Sequence, residues 1–151
     1  MARTIQCAPD PLALFASLTS GERRADTLLL ESLDATTKQA ERSFLLTQCS
    51  LRAECRGARV VVEALTANGE RALPALASAL KAQALTVDLS GSTLTATYPP
   101  PPSQASERER LLAPSPFDAL RALAQSWTLL PGPSSPSLLA AGVFSYDMLE
   151  C

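Results

Sequence analysis

The chain contains no histidine. Cys/His zinc sites and Cys–His nucleophile pairs are therefore excluded, and so is the imidazole that most often moves protons near neutral pH. Proton transfer would fall to a carboxylate, to Lys38 or Lys81, or to a tyrosine, and none of these stands in a recognisable constellation. No Cys-x-x-Cys occurs; Cys7, Cys49, Cys55 and Cys151 are irregularly spaced and read as free thiols packed as small hydrophobes. Acidic metal clusters, serine-nucleophile motifs, Gly-rich phosphate loops and long internal repeats are all missing. No apolar run approaches the roughly 20 residues of a membrane span. The N-terminus has no apolar stretch behind Arg3, so it is not a secretory signal, and the default location is cytoplasmic. A net charge of −2 gives no reason to expect nucleic acid or an anionic membrane as partner.

What is present is an ordinary globular composition in a length that allows one domain with a core. Thr4–Cys7 reads as a short strand. Asp10 caps a helix whose first position is Pro11 and whose buried face is Leu12, Leu14, Phe15 and Leu18; Gly21 ends it. Ser43–Thr47, Ser50–Arg56 and Arg59–Leu65 read as strands of an antiparallel meander, with Arg56-Gly57 as a tight turn. Arg52, Glu54, Arg56, Arg59 and Glu63 solvate one face of it. Asn68-Gly69 signals a turn, after which Leu73, Leu76, Ala77 and Leu80 recur at helical spacing to about Ala84, with Pro74 in the first turn. Leu85–Leu89 and Thr93–Tyr98 form a hairpin across Ser90-Gly91-Ser92.

Pro99–Pro102 breaks regular structure and reads as a stiff connector; an SH3 or WW ligand is the other reading. Glu107–Arg110 alternates in sign, as a solvated segment does. Ser115 and Pro116 start a helix with Phe117, Leu120, Leu123, Ala124 and Trp127 on one face. Trp127, the only tryptophan, reads as core packing. Leu138–Tyr146 reads as a last apolar strand, and the chain ends at Cys151 soon after it, as a piece of a longer protein would. The fold class expected from these elements is α+β: mostly antiparallel sheet with two main helices on one side.

The densest apolar stretch is Thr27–Ser32. Leu28, Leu29 and Leu30 cannot all face water and read as a buried strand that ends in Glu31 and Ser32. A strand ending in polar groups is the ordinary way to reach a turn; the same arrangement also holds a small polar ligand. Arg42 lies just before the next strand. If that strand folds back antiparallel, Arg42 returns near Ser32. A carboxylate, a hydroxyl and a guanidinium over an apolar floor suit a zwitterionic amino acid; an exposed, unengaged Arg42 is the alternative.

Five stretches carry a resemblance: Pro11-Leu12-Ala13-Leu14-Phe15, Arg24-Ala25-Asp26-Thr27-Leu28-Leu29-Leu30-Glu31-Ser32, Leu65-Thr66-Ala67-Asn68-Gly69-Glu70, Ser115-Pro116-Phe117-Asp118-Ala119-Leu120-Arg121 and Gly142-Val143-Phe144-Ser145-Tyr146-Asp147. In order and spacing they resemble the opening part of anthranilate synthase component I, a chorismate-utilising enzyme. The resemblance covers nearly all of residues 1–151. It implies the N-terminal, tryptophan-regulatory region of that fold, truncated before the catalytic chorismate-binding domain.

By that resemblance Ser32 is the main contact for L-tryptophan, the feedback inhibitor. Glu31 and Leu30 are its neighbours, Pro11 lies near the pocket, and Arg42 stands where the family tends to carry a lysine. A further wall, a Pro-Tyr-Met segment, would follow Cys151. The resemblance also implies that the full-length enzyme uses magnesium and a glutamine amidotransferase partner, in a hetero-oligomer, to turn chorismate and ammonia into anthranilate and pyruvate. It places no catalytic residue and no metal ligand within these 151 residues, so the piece alone is expected to be inactive. Aminodeoxychorismate and aminodeoxyisochorismate synthases share the pattern. Glu31 leans toward the tryptophan-sensitive enzyme, since the aminodeoxychorismate relatives tend to carry aspartate there. A free-standing amino-acid-binding module without catalysis is the alternative from another class.

Overall fold

A computed structural model describes residues 10–21, 26–33, 40–100, 103, 106–125, 140–143 and 145. Thr4–Cys7, Lys38, Trp127, Phe144, Tyr146, Cys7 and Cys151 lie outside the described residues. The chain is α+β, with two antiparallel sheets and four helices among the described residues. It divides into two compact units, residues 3–49 and 50–151.

In the first unit, helix α1 (Pro11–Leu18) starts as its sequence dictates. The Asp10 carboxylate accepts a hydrogen bond from Leu12 N–H at 3.0 Å, and Pro11 takes the position where a missing N–H costs nothing. Gly21 ends it at φ +71°, its N–H donating to Ala16 C=O at 2.7 Å. The buried face expected for this helix is narrower than the sequence suggests: Leu14 and Phe15 are half-buried, while Leu12 and Leu18 are exposed. Position 12 lies a quarter-turn off the stripe through 11, 14 and 15, and position 18 is the last of a short helix.

Strands β1 (Leu28–Leu33) and β2 (Ala40–Leu46) then form a two-stranded antiparallel ribbon. A two-stranded ribbon has no inner position, so Leu28 and Leu29 are only half-buried and Leu30 is exposed. The expectation of a fully buried leucine strand fails for that reason.

The second unit is a two-layer structure. Strands β3 (Leu51–Arg56) and β4 (Arg59–Ala64) form a hairpin across Gly57, which sits at φ +55°. Helix α2 (Ala67–Leu80) leads to β5 (Thr86–Ser90), and β6 (Thr93–Thr97) returns across Gly91-Ser92, with Gly91 at φ +56°. The sheet order is β3-β4-β6-β5. This corrects the expected meander: β2 pairs with β1 and not with β3, and β6 inserts between β4 and β5 because α2 carries the chain across to the far edge.

Alternation along the strands sorts the residues cleanly. Val60, Val62, Leu94 and Ala96 turn inward and meet Leu73, Leu76, Ala77 and Leu80 of α2 in a core with Tyr98 and Ala119. The opposite face carries the expected charges. On it Arg52 pairs with Glu63 at 2.5 Å directly across the strands, and Arg56 with Glu54.

Helix α2 begins earlier than its apolar spacing indicates. Thr66 is the N-cap, its hydroxyl accepting from Gly69 N–H at 3.3 Å, so Asn68 and Gly69 lie in the first turn and not in a loop. Pro74 is consequently in the helix interior, and Lys81–Gln83 are already a turn.

Helices α3 (Glu107–Leu112) and α4 (Pro116–Gln125) follow. Ser115 N–H donates to the Asp118 carboxylate at 2.8 Å, and Arg121 ion-pairs with the same side chain one turn on. Both α2 and α4 cover the same sheet face. The buried positions of α4 are Pro116 and Ala119, with Leu120, Ala122 and Leu123 half-buried; Ala124, expected on this face, is exposed. Ala140–Val143 form no strand and are exposed, Val143 almost fully. An apolar segment becomes a strand only where a neighbouring edge takes its backbone hydrogen bonds, and no described strand does so here.

Candidate functional site

The residues singled out by sequence gather in the first unit. The β1–β2 register sets Leu28 opposite Leu46, Leu30 opposite Phe44 and Ser32 opposite Arg42 on one face; Leu29 opposite Leu45 and Glu31 opposite Ser43 fall on the other. Arg42, ten positions away in sequence, is thus the direct cross-strand partner of Ser32. The ladder shifts immediately afterwards: Leu33 pairs with Ala40, so Glu41 is an extra residue on β2. Such a bulge increases local twist and commonly sits beside functional positions.

The same register separates Glu31 from Ser32. Consecutive strand positions point to opposite faces, so a ligand lying on the Ser32–Arg42 face does not share that face with position 31. Nor do the two stand at the strand tip, because β1 runs on to Leu33. Glu31 is exposed and Leu30 is 45% exposed. Pro11 opens α1, a helix that packs against β2 within the same unit.

Sequence reasoning overlooked Phe44. It is 42% exposed and sits directly across from Leu30, one strand pair along from Ser32–Arg42. The signal available was the alternation Arg42, Phe44, Leu46, which places an aromatic residue on the face of the proposed cation once β2 is read as a strand.

Elsewhere the described residues offer little chemistry. No three His, Cys, Asp or Glu side chains among them converge to hold a metal ion. Burial, with a smaller effect of nearby Asp26, pushes the Cys49 thiol above its ordinary pKa, the reverse of an activated thiolate. Cys49 and Cys55 form no disulfide among the described residues. A concavity of about 270 Å³ in the second unit is lined by residues that include Pro99, Pro100, Arg110 and Pro114; it contains none of Pro11, Leu30, Glu31, Ser32 and Arg42. Among the described residues no helix is long and apolar enough to cross a membrane.

The fold and this site define an α+β chain with helices covering one face of an antiparallel sheet and a polar cross-strand pair on a separate ribbon. No protein-family model matches it. Curated relatives do: it is 36% identical over 140 residues to anthranilate synthase component 1 of Vibrio cholerae and 37% identical over 140 residues to that of Escherichia coli. Each match takes in 93% of this chain and 26% of the relative. It is 35% identical over 126 residues to the pyocyanine-specific anthranilate synthase component 1 of Pseudomonas aeruginosa, covering 83% of this chain and 23% of the relative. The chain is related to the N-terminal part of anthranilate synthase component 1 and spans about a quarter of the length of these relatives.

Proposed function

We propose that this chain is the effector-sensing N-terminal part of an anthranilate synthase component 1, and that it holds L-tryptophan on the β1–β2 ribbon. The observation that carries the reading is the cross-strand register, which pairs Ser32 with Arg42 beside a bulge. The guanidinium takes the effector's carboxylate, the hydroxyl adds a hydrogen bond, and Leu30 lends apolar surface. Glu31 acts from the opposite face, on whatever that face meets, and Pro11 sets the start of α1.

Conversion of chorismate and ammonia to anthranilate and pyruvate, magnesium binding and docking of a glutamine amidotransferase are assigned to the remaining three-quarters of an enzyme of this kind. Feedback then consists of tryptophan favouring an inactive arrangement, through a coupling of about 1–3 kcal/mol.

The test is a chimera in which this chain replaces the matched N-terminal stretch of the Escherichia coli relative. L-Tryptophan is expected to inhibit the chimera, and Ser32→Phe is expected to abolish that inhibition while anthranilate is still formed. Undiminished inhibition of the Ser32→Phe chimera removes Ser32 from the site. The similarity to a pyocyanine-specific relative supports a second reading, an anthranilate synthase component 1 of that kind; an active wild-type chimera that L-tryptophan does not inhibit favours it.

A further inference from the structure

We propose that the concavity of the second unit is a binding site for a small aromatic monocarboxylate, with Arg110 taking the carboxylate and proline rings holding the aromatic ring. The inference stands on the second unit alone and is independent of the reading of the ribbon.

The cavity follows from where the prolines fall. Pro99 and Pro100 lead the chain away from β6, and Pro114 and Pro116 flank Ser115 in the step from α3 to α4. The turn between β3 and β4 adds Gly57 and Ala58 to the lining. That turn is tied to the end of β6, because the Tyr98 N–H donates to Ala58 C=O at 2.8 Å. Proline has a fixed φ and no N–H. Walls built from it are stiff and present C–H surface without a donor that needs an acceptor. A preformed cavity of this kind costs little to reorganise when it is filled.

Two polar side chains interrupt the apolar lining, Arg110 and Ser115. Arg110 is the only charged residue among the described residues that line the cavity, and among the described residues it makes no ion pair. The Glu109 carboxylate accepts from Ser106 instead. The Ser115 hydroxyl is also without a hydrogen bond among the described residues; it is the Ser115 N–H that bonds Asp118. A planar guanidinium and a spare hydroxyl, with no carboxylate beside them in the lining, select an anion, and the guanidinium fork matches a carboxylate.

The body of the ligand follows from size and surface. A cavity of about 270 Å³ lies just under the roughly 300–1,000 Å³ usual for drug-sized ligands, so the occupant is small, one ring with its carboxylate. Proline rings pack well on flat aromatic faces. Aromatic-lined grooves hold proline-rich peptides by that contact, and here the roles are exchanged. Inorganic phosphate would satisfy Arg110 and leave the proline surface bare.

The experiment is an NMR titration of the isotopically labelled 151-residue chain with benzoate, and separately with its neutral counterpart benzamide and its saturated counterpart cyclohexanecarboxylate. Benzoate is expected to give saturable shifts at the Gly57, Ala58, Ala113 and Ser115 amides, with half-saturation on the order of 1 mM. Benzamide is expected to bind about tenfold more weakly, and cyclohexanecarboxylate at least about threefold more weakly. Arg110→Met is expected to weaken benzoate by about tenfold while changing benzamide by less than about twofold, and Arg110→Lys to recover part of the loss. The comparison of the three ligands on the wild type stands whatever these substitutions do to α3. If benzoate gives no saturable shift at those amides up to about 10 mM, the inference is overturned. It is overturned equally if Arg110→Met binds benzoate as the wild type does. Benzamide matching benzoate removes the role of charge, cyclohexanecarboxylate matching it removes the role of the ring, and either result overturns the inference as well. None of these outcomes bears on the ribbon.

Discussion

A Cβ at position 69 would run into the carbonyl oxygen of Ser50, which already accepts the Leu65 N–H at 2.9 Å. In a helix, alanine normally improves on glycine by about 1 kcal/mol. Here the blocking atom belongs to backbone, so Gly69→Ala is expected to destabilise the chain by about 2–3 kcal/mol, read as a lower urea midpoint against an Asn68→Ala control. This glycine was legible in the sequence only as a turn signal. Its actual role, a close approach between two segments, depends on a tertiary contact that no local pattern encodes. Tyr98 is a second such residue. It is 1% exposed, and its hydroxyl has no hydrogen-bond partner among the described residues. Burial first, then the nearby Asp118 and Cys55, pushes its pKa up to about 12. The unfolded tyrosine ionises near 10, so stability from this group is intact below that pH and is lost as pH rises toward 12, by on the order of 2 kcal/mol. Tyr98→Phe is expected to be neutral or slightly stabilising at pH 7 and to flatten this alkaline fall, measured by denaturant melts across pH 9–12.

Among the elements, β3 to β6 were the most readable, because β4 carries a run of valines, threonine alternates with apolar residues along β6, and Gly57 and Gly91 mark the turns. Strand order was not readable, since the hydrophobic pattern says which face is buried and nothing about which edge a strand joins. Nor was the start of α2, which Thr66 sets from outside the apolar repeat. Because α2 starts there, Pro74 interrupts its interior. Pro74→Ala restores one backbone hydrogen bond and removes a ring, and is expected to raise stability by about 1–3 kcal/mol in the same melts. Helix α3 is held at its start by a capping box. Ser106 N–H and Oγ–H donate to the Glu109 carboxylate at 2.8 and 2.7 Å, and the Ser106 hydroxyl accepts from Glu109 N–H. These bonds hold the Glu109 carboxyl below the usual carboxylate range. Their support is therefore present above the ordinary glutamate pKa and is lost as pH falls through the lowered one. Fraying of α3 in acid, followed by amide shifts of residues 106–112, is the expected outcome, and Glu109→Gln is expected to change its pH dependence.

At the scale of the whole molecule, the candidate site and the hydrophobic core belong to different units. Every fully buried apolar side chain among the described residues comes from Val60 through Ala119, whereas the first unit buries only Thr19 to that degree. Amide exchange on the intact chain is accordingly expected to be slowest in β4, β6 and α2 and clearly faster in α1 and the ribbon. The residues that make the ribbon interesting were visible in the sequence: Thr27–Ser32 as a strand and Arg42 as its returning neighbour. Phe44 was not, because its meaning lies in what stands across from it. The strand order of the main sheet also bears on how the chain is made. A ribosome that has released β3 and β4 has delivered a hairpin whose inner side, Val60 and Val62, lacks both its neighbour and its roof. The neighbour is β6, the last strand of that sheet to emerge, so this sticky half-sheet waits through more than thirty further codons, from Ala64 to Thr97, before it can close. A pause in translation within that interval is where a chaperone would find the most to hold.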